Sequence, residues 1–252
     1  MLIEHRDTSL KYTRAIKQQK IRLVLDWLLE FRFSSIDLLA KRLGSNAINA
    51  NRFFNSLLTD GYIQAFSNIH TNNARYVILT LDGLAYLEVL GRDVSRATTN
   101  KNALGRYSRI LHDIAVQYAV LNRLNQFTEV IWDRHINFPD HPEKPDVLLR
   151  SPRGYWVGLE YERWRKDLRR IYISFMAHTD ALIKKHYSGV FYLFSLENDC
   201  NYYRSLFEAE EWPRYKREPK SGHIKRLSSS FRPDEIKNLR KCFIFSIEPV
   251  ER

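Results

Sequence analysis

Apolar positions recur along the chain in two patterned stretches with a polar interval between them. Residues 17–33 place Ile21, Val24, Leu25, Leu28 and Leu29 at helical spacing, which predicts a first core helix. Ser35 suits the N-cap of a short second helix over 36–43, and Gly44 is placed to end it. A third helix is expected over 47–60, stopped by Gly61. Residues 62–66 and 74–80 then alternate as strands around a polar tip at 67–73. A last helix over 79–91 follows, with Thr80 or Asp82 as its cap.

Residues 92–106 are polar and carry no apolar period, so they read as a linker between a domain at 1–91 and another at 107–252. The second stretch opens with Ile110, Leu111, Ile114, Ala115, Tyr118, Leu121 and Leu124 on one helical stripe. Strands are expected at 129–136, 145–150 and 155–163, the last two joined by the turn Ser151-Pro152-Arg153-Gly154. A long helix over 166–186, a strand at 189–195, a helix near 201–211, a basic stretch, a helix opened by Pro233-Asp234-Glu235 and a strand from Cys242 complete the pattern. The whole predicts an α+β protein whose second domain is an α/β unit.

The N-terminal region resembles the winged helix-turn-helix family over residues 17–91. The turn Gly44-Ser45-Asn46, LLTDGYI at 57–63 and YVILTLDGLAYL at 76–87 carry the resemblance. It implies a third helix that enters a DNA major groove and a wing that touches a minor groove or phosphates. On that reading Asn46, Asn49, Asn51, Arg52 and Asn55 offer amide and guanidinium groups to base edges or phosphates, while His70, Asn72, Asn73 and Arg75 serve the wing. Winged helices also act as protein-interaction or dimerisation modules, which admits a homodimer.

Charge points to the same partner. Lysine and arginine total 40 against 29 acidic residues, a net charge of +11, so a polyanion such as double-stranded DNA is the first ligand to expect. Residues 1–95 hold 12 basic and 9 acidic side chains and the remainder 28 and 20, so the second part is the more basic. With 44% hydrophobic residues, 9 Gly and 8 Pro, collagen-like and disordered classes are excluded. No apolar run reaches the roughly 18 residues of a bilayer span, and MLIEHRDTSL lacks a signal core, so no membrane and a cytoplasmic location are expected. Cys200 and Cys242 are too few for a disulfide scaffold or a four-cysteine zinc site, which leaves carboxylates and histidines for any metal.

Acidic residues fall where a metal would be held. Asp146 opens one expected strand, and Glu160 and Glu162 lie two apart on the next and so share a face. Converging carboxylates suit Mg²⁺ or Mn²⁺. Pro145-Asp146 followed by Glu160-Tyr161-Glu162 resembles the PD-(D/E)xK nuclease superfamily, whose restriction-endonuclease-like fold has a helix on either side of a meander. That resemblance implies Asp146, Glu160, Glu162 and Asp113 as catalytic residues, with Asp146 and Glu160 holding the ion. The usual lysine is replaced by Glu162; some restriction-type members carry a glutamate there, and others move the lysine onto the following helix, where Lys166, Lys184 or Lys185 would supply it.

LHDIAVQYAVLNRL, KPDVLL and GYWVGLEYERWRKDLRRIYISFMAHTDA, preceded by a winged helix, resemble the replication-relaxation family of plasmids and integrative elements over residues 17–195. His112-Asp113-Ile114-Ala115-Val116, Pro145-Asp146 and Glu160-Tyr161-Glu162-Arg163 carry the likeness. It implies a role in plasmid replication, mobilisation or DNA relaxation, with relaxase or replication proteins as partners. Tyr172 is a formal candidate for a DNA-nicking nucleophile, but no three-histidine relaxase motif accompanies it.

Residues 212–233 interleave Arg214, Lys216, Arg217, Lys220, Lys225, Arg226 and Arg232 with Trp212, Tyr215 and Phe231, and read as a flexible basic arm for phosphates and bases. The sequence therefore supports a DNA-binding accessory or regulatory protein of a mobile element. A metal-dependent DNA endonuclease is the alternative, and a protein-interaction adaptor is a third.

Overall fold

Val24, Leu25, Leu28 and Phe31 are wholly buried along one side of α1 (Leu2–Phe31), the helix that the apolar spacing marks from residue 17 onward. The helix starts earlier than that; residues 13–20 are mostly exposed, so they leave no apolar period in the sequence to mark it. In this computed structural model residues 2–67, 75–104, 107–139, 143–218 and 221–249 are described, with the backbone alone for 2–12 and 107. The chain is mixed α+β and divides into two units, Met1–Gln117 and Tyr118–Arg252.

In unit 1, Arg32 takes a left-handed φ of 70° and ends α1, and the chain runs directly into a short strand, β1 (Phe33–Ser35). Ser35 Oγ accepts from Leu38 N at 3.2 Å and caps α2 (Ile36–Arg42). Gly44 and Gly61, at φ 68° and 77°, end α2 and α3 (Ala47–Thr59), as C-terminal glycines do. β2 (Ile63–Phe66) and β3 (Tyr76–Leu79) pair antiparallel, and β1 joins the other side of β3, giving the order β1-β3-β2. Thr80, not Asp82, caps α4 (Leu81–Val89), its Oγ1 accepting from Gly83 N at 3.1 Å. A side chain at Gly83 would bring a Cβ within 2.2 Å of the Tyr62 carbonyl, so this glycine lets α4 press against the start of the hairpin. The order of helices and strands is the one read from the sequence, with β1 added. The expected hairpin tip at 67–73 lies largely outside the described residues.

The segment expected as a linker packs onto unit 1. Arg92 forks onto Asp26 with two 2.9 Å hydrogen bonds, Gln64 Nε2 donates to Thr99 O, Arg32 donates to Ala103 O, and Leu104 is buried. α5 (Tyr107–Leu121) then begins in unit 1. Buried Gln117 accepts from Trp27 Nε1 and donates to Phe33 O, both at 2.9 Å, so α1, β1 and α5 share one polar joint. Unit 1 thus includes residues 92–104 and ends within α5, after Gln117.

Unit 2 is built on a five-stranded sheet of order β10-β7-β6-β5-β4. β4 (Glu129–Trp132), β5 (Val147–Arg150) and β6 (Trp156–Glu162) form an antiparallel meander, with Gly154 at φ 88° in the turn between the last two. α6 (Leu168–Ile183), capped by Asp167, crosses over to β7 (Val190–Phe194), which runs parallel to β6. α7 (Glu197–Phe207) and a second crossover lead to β10 (Phe243–Ile247), parallel to β7. Meander, helix and parallel strand follow the order read from the sequence. Phe175 on α6 is the hub of the core, its ring within 6.4 Å of Tyr192, Tyr203, Phe207, Trp212 and Phe243.

Two expectations fail here. The basic stretch forms an antiparallel hairpin, β8 (Trp212–Arg217) and β9 (Ile224–Phe231), and not a loose arm. Its base is pinned by Trp212, wholly buried, whose ring meets Phe231 at 5.4 Å and whose Nε1 donates to Phe207 O. The helix expected after Pro233 is only a 3-10 turn, Pro233–Glu235, too short to bury an apolar face.

Candidate nucleic-acid interface and buried acidic cluster

α3 presents its polar groups on one side and buries the other. Ala50, Phe54 and Leu57 face the core, whereas Ile48, Asn51, Arg52 and Asn55 recur at spacings of three and four and are exposed. Ile48 is 86% exposed, a large apolar side chain at the head of the polar stripe. Asn49 is exposed beside this stripe. Asn46 has a structural role: its Oδ1 accepts from Asn49 N at 2.8 Å and caps the helix. Arg75 is exposed at the entry to β3, and Asn72 lies outside the described residues.

On the hairpin of unit 2, Arg214, Lys216, Arg217, Lys225 and Arg226 are all exposed, and Lys220 lies outside the described residues. Lys216 stands directly opposite Lys225, and Tyr215 opposite Arg226. Like charges facing one another across a strand pair destabilise it. Among the described residues none of these five cations has an acidic partner. Arg232, by contrast, is held by Glu211 at 2.7 Å.

The carboxylates of unit 2 lie on neighbouring strands, each held by a group of the chain. Asp146 Oδ2 accepts from Tyr161 N at 2.9 Å, which fixes the start of β5 to the middle of β6. Glu160 and Glu162 share a face of β6, as period two requires, and are 7% and 3% exposed. Glu160 Oε1 lies 3.2 Å from His178 Nε2, and His178 Nδ1 lies 2.6 Å from the Tyr187 hydroxyl. Burial drives His178 down to about 3, with the Lys166 charge adding to the effect, so the imidazole is neutral near pH 7. Its Nε2–H therefore donates to Glu160, and Nδ1 accepts from Tyr187. Burial and the nearby Glu160 charge hold the Tyr187 hydroxyl well above its usual range, which keeps it a donor.

Glu162 has a charged partner. Lys166 Nζ donates to Glu162 Oε1 at 2.5 Å. Burial pushes the Glu162 carboxyl up to about 7; Lys166 pulls it down, while Glu160 and Asp146 push it further up. Burial works against the Lys166 charge, but Glu162, Glu160 and Asp146 outweigh it and hold the ammonium above its ordinary range. Of Lys166, Lys184 and Lys185, Lys166 is the one that reaches Glu162. Lys184 pairs with Asp180 at 2.9 Å, and Lys185, with φ 61°, follows the far end of α6.

Among the described residues no three acidic, imidazole or thiol side chains converge as metal ligands. Glu160 is occupied by a neutral imidazole and Glu162 by an ammonium, which supplies the counter-charge that Mg²⁺ or Mn²⁺ would bring. Asp113 belongs to unit 1, is 2% exposed and lies 2.8 Å from Arg109 Nε. Tyr172 is 5% exposed, and burial raises its hydroxyl, so it is not a solvent-facing nucleophile. His178 and Tyr187 were not foreseen. The signal for His178 was its place in the apolar series Ile171, Phe175, His178 and Leu182 on α6.

No helix among the described residues is long and apolar enough to cross a membrane. No family model matches the chain, and no curated protein matches it. A solved structure of disulfide-formed AbfR aligns with 50% of this chain and 87% of its own at 14% identity, with a TM-score of 0.26, a likeness that carries no argument.

Proposed function

We propose that the protein is a DNA-binding accessory or regulatory factor and not a nuclease. The observation that carries this reading is the exposed stripe of Ile48, Asn51, Arg52 and Asn55 on a helix whose other side is core. Amides and a guanidinium suit base edges and phosphates, and an apolar head suits a thymine methyl group. The hairpin cations supply sequence-independent phosphate attraction in the second unit. A role at a plasmid or other mobile element, with relaxase or replication proteins nearby, and a homodimeric state are parts of this reading that rest on the family resemblance.

The endonuclease alternative is disfavoured because Glu160 and Glu162 are held by His178 and Lys166 and leave no three-ligand site among the described residues. Duplex binding tests the main reading. A preferred site selected from random duplex DNA should bind the wild type more tightly than bulk sequence. Arg52→Ala should lose roughly 1 to 3 kcal/mol at that site and far less on random DNA. No preferred site, or equal losses on both DNAs, would overturn base reading by α3.

A further inference from the structure

The parallel part of the unit 2 sheet ends in an exposed apolar and basic surface that the duplex reading does not use. Glu162, Phe194 and Ile247 are in register at the carboxyl ends of β6, β7 and β10. Two residues beyond Glu162 stands Trp164, 67% exposed, and two beyond Phe194 stands Leu196, 56% exposed; Ile247 is 46% exposed. A tryptophan of that exposure is unusual for a residue type that normally buries most of its ring. Trp27, Trp132 and Trp212 are buried in this chain.

The surroundings of Trp164 are cationic. The Arg163 guanidinium carbon lies 5.3 Å from its ring centroid. Arg165, Lys166 and Arg169 follow but are engaged by Asp199, Glu162 and Asp167, while Arg170 is exposed with no acidic partner among the described residues. α6 also packs against β8 of the hairpin. The hairpin that this helix packs against carries the unpartnered cations Arg214, Lys216, Arg217, Lys225 and Arg226.

We infer that Trp164 is a stacking platform for an unpaired base, and that this edge of unit 2, from Trp164 through Arg170 to the hairpin, binds single-stranded DNA. A polyanion complements the charge, and only a strand with exposed base faces also uses the indole face that Arg163 leaves open; a duplex keeps those faces stacked inside. A protein partner would have to be acidic and would gain nothing special from a ring already covered on one side by a guanidinium. The inference extends the proposed DNA binding to a second form of DNA.

The test is titration of the full chain with a fluorescein-labelled oligothymidylate, followed by anisotropy, and with the unlabelled strand, followed by tryptophan emission. Stacking on Trp164 should quench emission, because this is the most exposed of the indoles above. Trp164→Phe should keep most of the affinity and lose most of the quench, and Trp164→Ala should bind at least roughly fivefold more weakly. Circular dichroism of both variants should match the wild type, as expected for an exposed position. Unchanged affinity in Trp164→Ala, or a full quench in Trp164→Phe, would overturn the platform and leave the edge as a surface for an acidic protein. Selected duplex binding in the same samples separates the two failures: its absence from the wild type sinks the α3 reading, whereas oligothymidylate binding indifferent to Trp164 sinks only this one.

Discussion

Lys166 Nζ meets Glu162 Oε1 at 2.5 Å, one helical turn's spacing along the chain from the glutamate that it pairs with. The pair sits beside Glu160 and Asp146, which raise the Lys166 ammonium along with Glu162. Lys166 is thus in contact with Glu162 and feels the charges of Glu160 and Asp146 as well.

Removing that cation should destabilise unit 2. Lys166→Met leaves Glu162, 3% exposed, without its counter-charge, and breaking a buried pair costs about 3 to 5 kcal/mol when the remaining charge persists. The carboxyl would escape part of that cost by taking up a proton. Chemical denaturation should therefore show a loss that is largest at alkaline pH and smaller near pH 5. Glu162→Gln in the Lys166→Met background should recover much of the loss, and no recovery would mean that the lysine acts through packing alone.

His178 makes the fold sensitive to acid. Its folded-state value of about 3 lies below the ordinary 6.5, so the unfolded chain binds more protons between those limits. Stability from this group is complete above about pH 6.5 and falls as the pH drops toward 3. Glu162 acts in the opposite sense, since a value raised to about 7 costs stability as the pH rises from about 4.5 to 7. His178→Gln can keep a donor to Glu160 without titrating. Relative to its own stability at pH 7, the variant should retain about 3 kcal/mol more than the wild type at pH 4. Parallel pH profiles would exclude a buried neutral imidazole.

Gly83 should be intolerant of any side chain. A Cβ there meets the Tyr62 carbonyl at 2.2 Å, and backbone on both sides cannot yield cheaply. Gly83→Ala should cost about 3 kcal/mol and lower the melting temperature of unit 1, even though alanine favours helix. A neutral or stabilising outcome would mean that α4 can shift away from the hairpin.

Caps and turns were the most legible features. Ser35 and Thr80 do what their positions suggested, because a cap is decided by a few adjacent residues. The carboxylate face of β6 was equally plain, since period two fixes it. What the sequence hid was tertiary. The strand Phe33–Ser35 exists because β3 lies beside it, and the hairpin at 212–231 because Trp212 anchors it in the core of unit 2. The His178 contact joins residues 18 positions apart on a strand and a helix, and no local pattern names that partner.

The hairpin cations should dominate the salt dependence of DNA binding. Lys216 faces Lys225 without an acid to separate them, so the free hairpin carries a repulsion that a phosphate relieves. Replacing Lys216, Arg217, Lys225 and Arg226 by glutamine should weaken binding to any duplex and flatten the slope of log K against log salt by up to about 4 × 0.9. The preference for a selected site over random DNA should survive, because that preference is assigned to α3. An unchanged slope would remove the hairpin from the interface.

The last prediction separates a binder from an enzyme. A divalent ion that binds only the folded state would raise the melting temperature by mass action. The carboxylates offer it little: Glu160 receives the His178 N–H, and Glu162 receives the Lys166 ammonium, so an ion must displace partners already desolvated with them. Millimolar Mg²⁺ or Mn²⁺ should therefore leave the melting temperature unchanged, and a supercoiled plasmid carrying the selected site should stay intact. Lys166→Met removes the competing cation, and it should gain a thermal shift with Mn²⁺ that Glu162→Gln in the same background abolishes. The converse result is equally specific. Metal-dependent nicking by the wild type that disappears in Glu160→Gln, with duplex binding retained, would establish the endonuclease and show that DNA rearranges His178 and Lys166 away from the carboxylates.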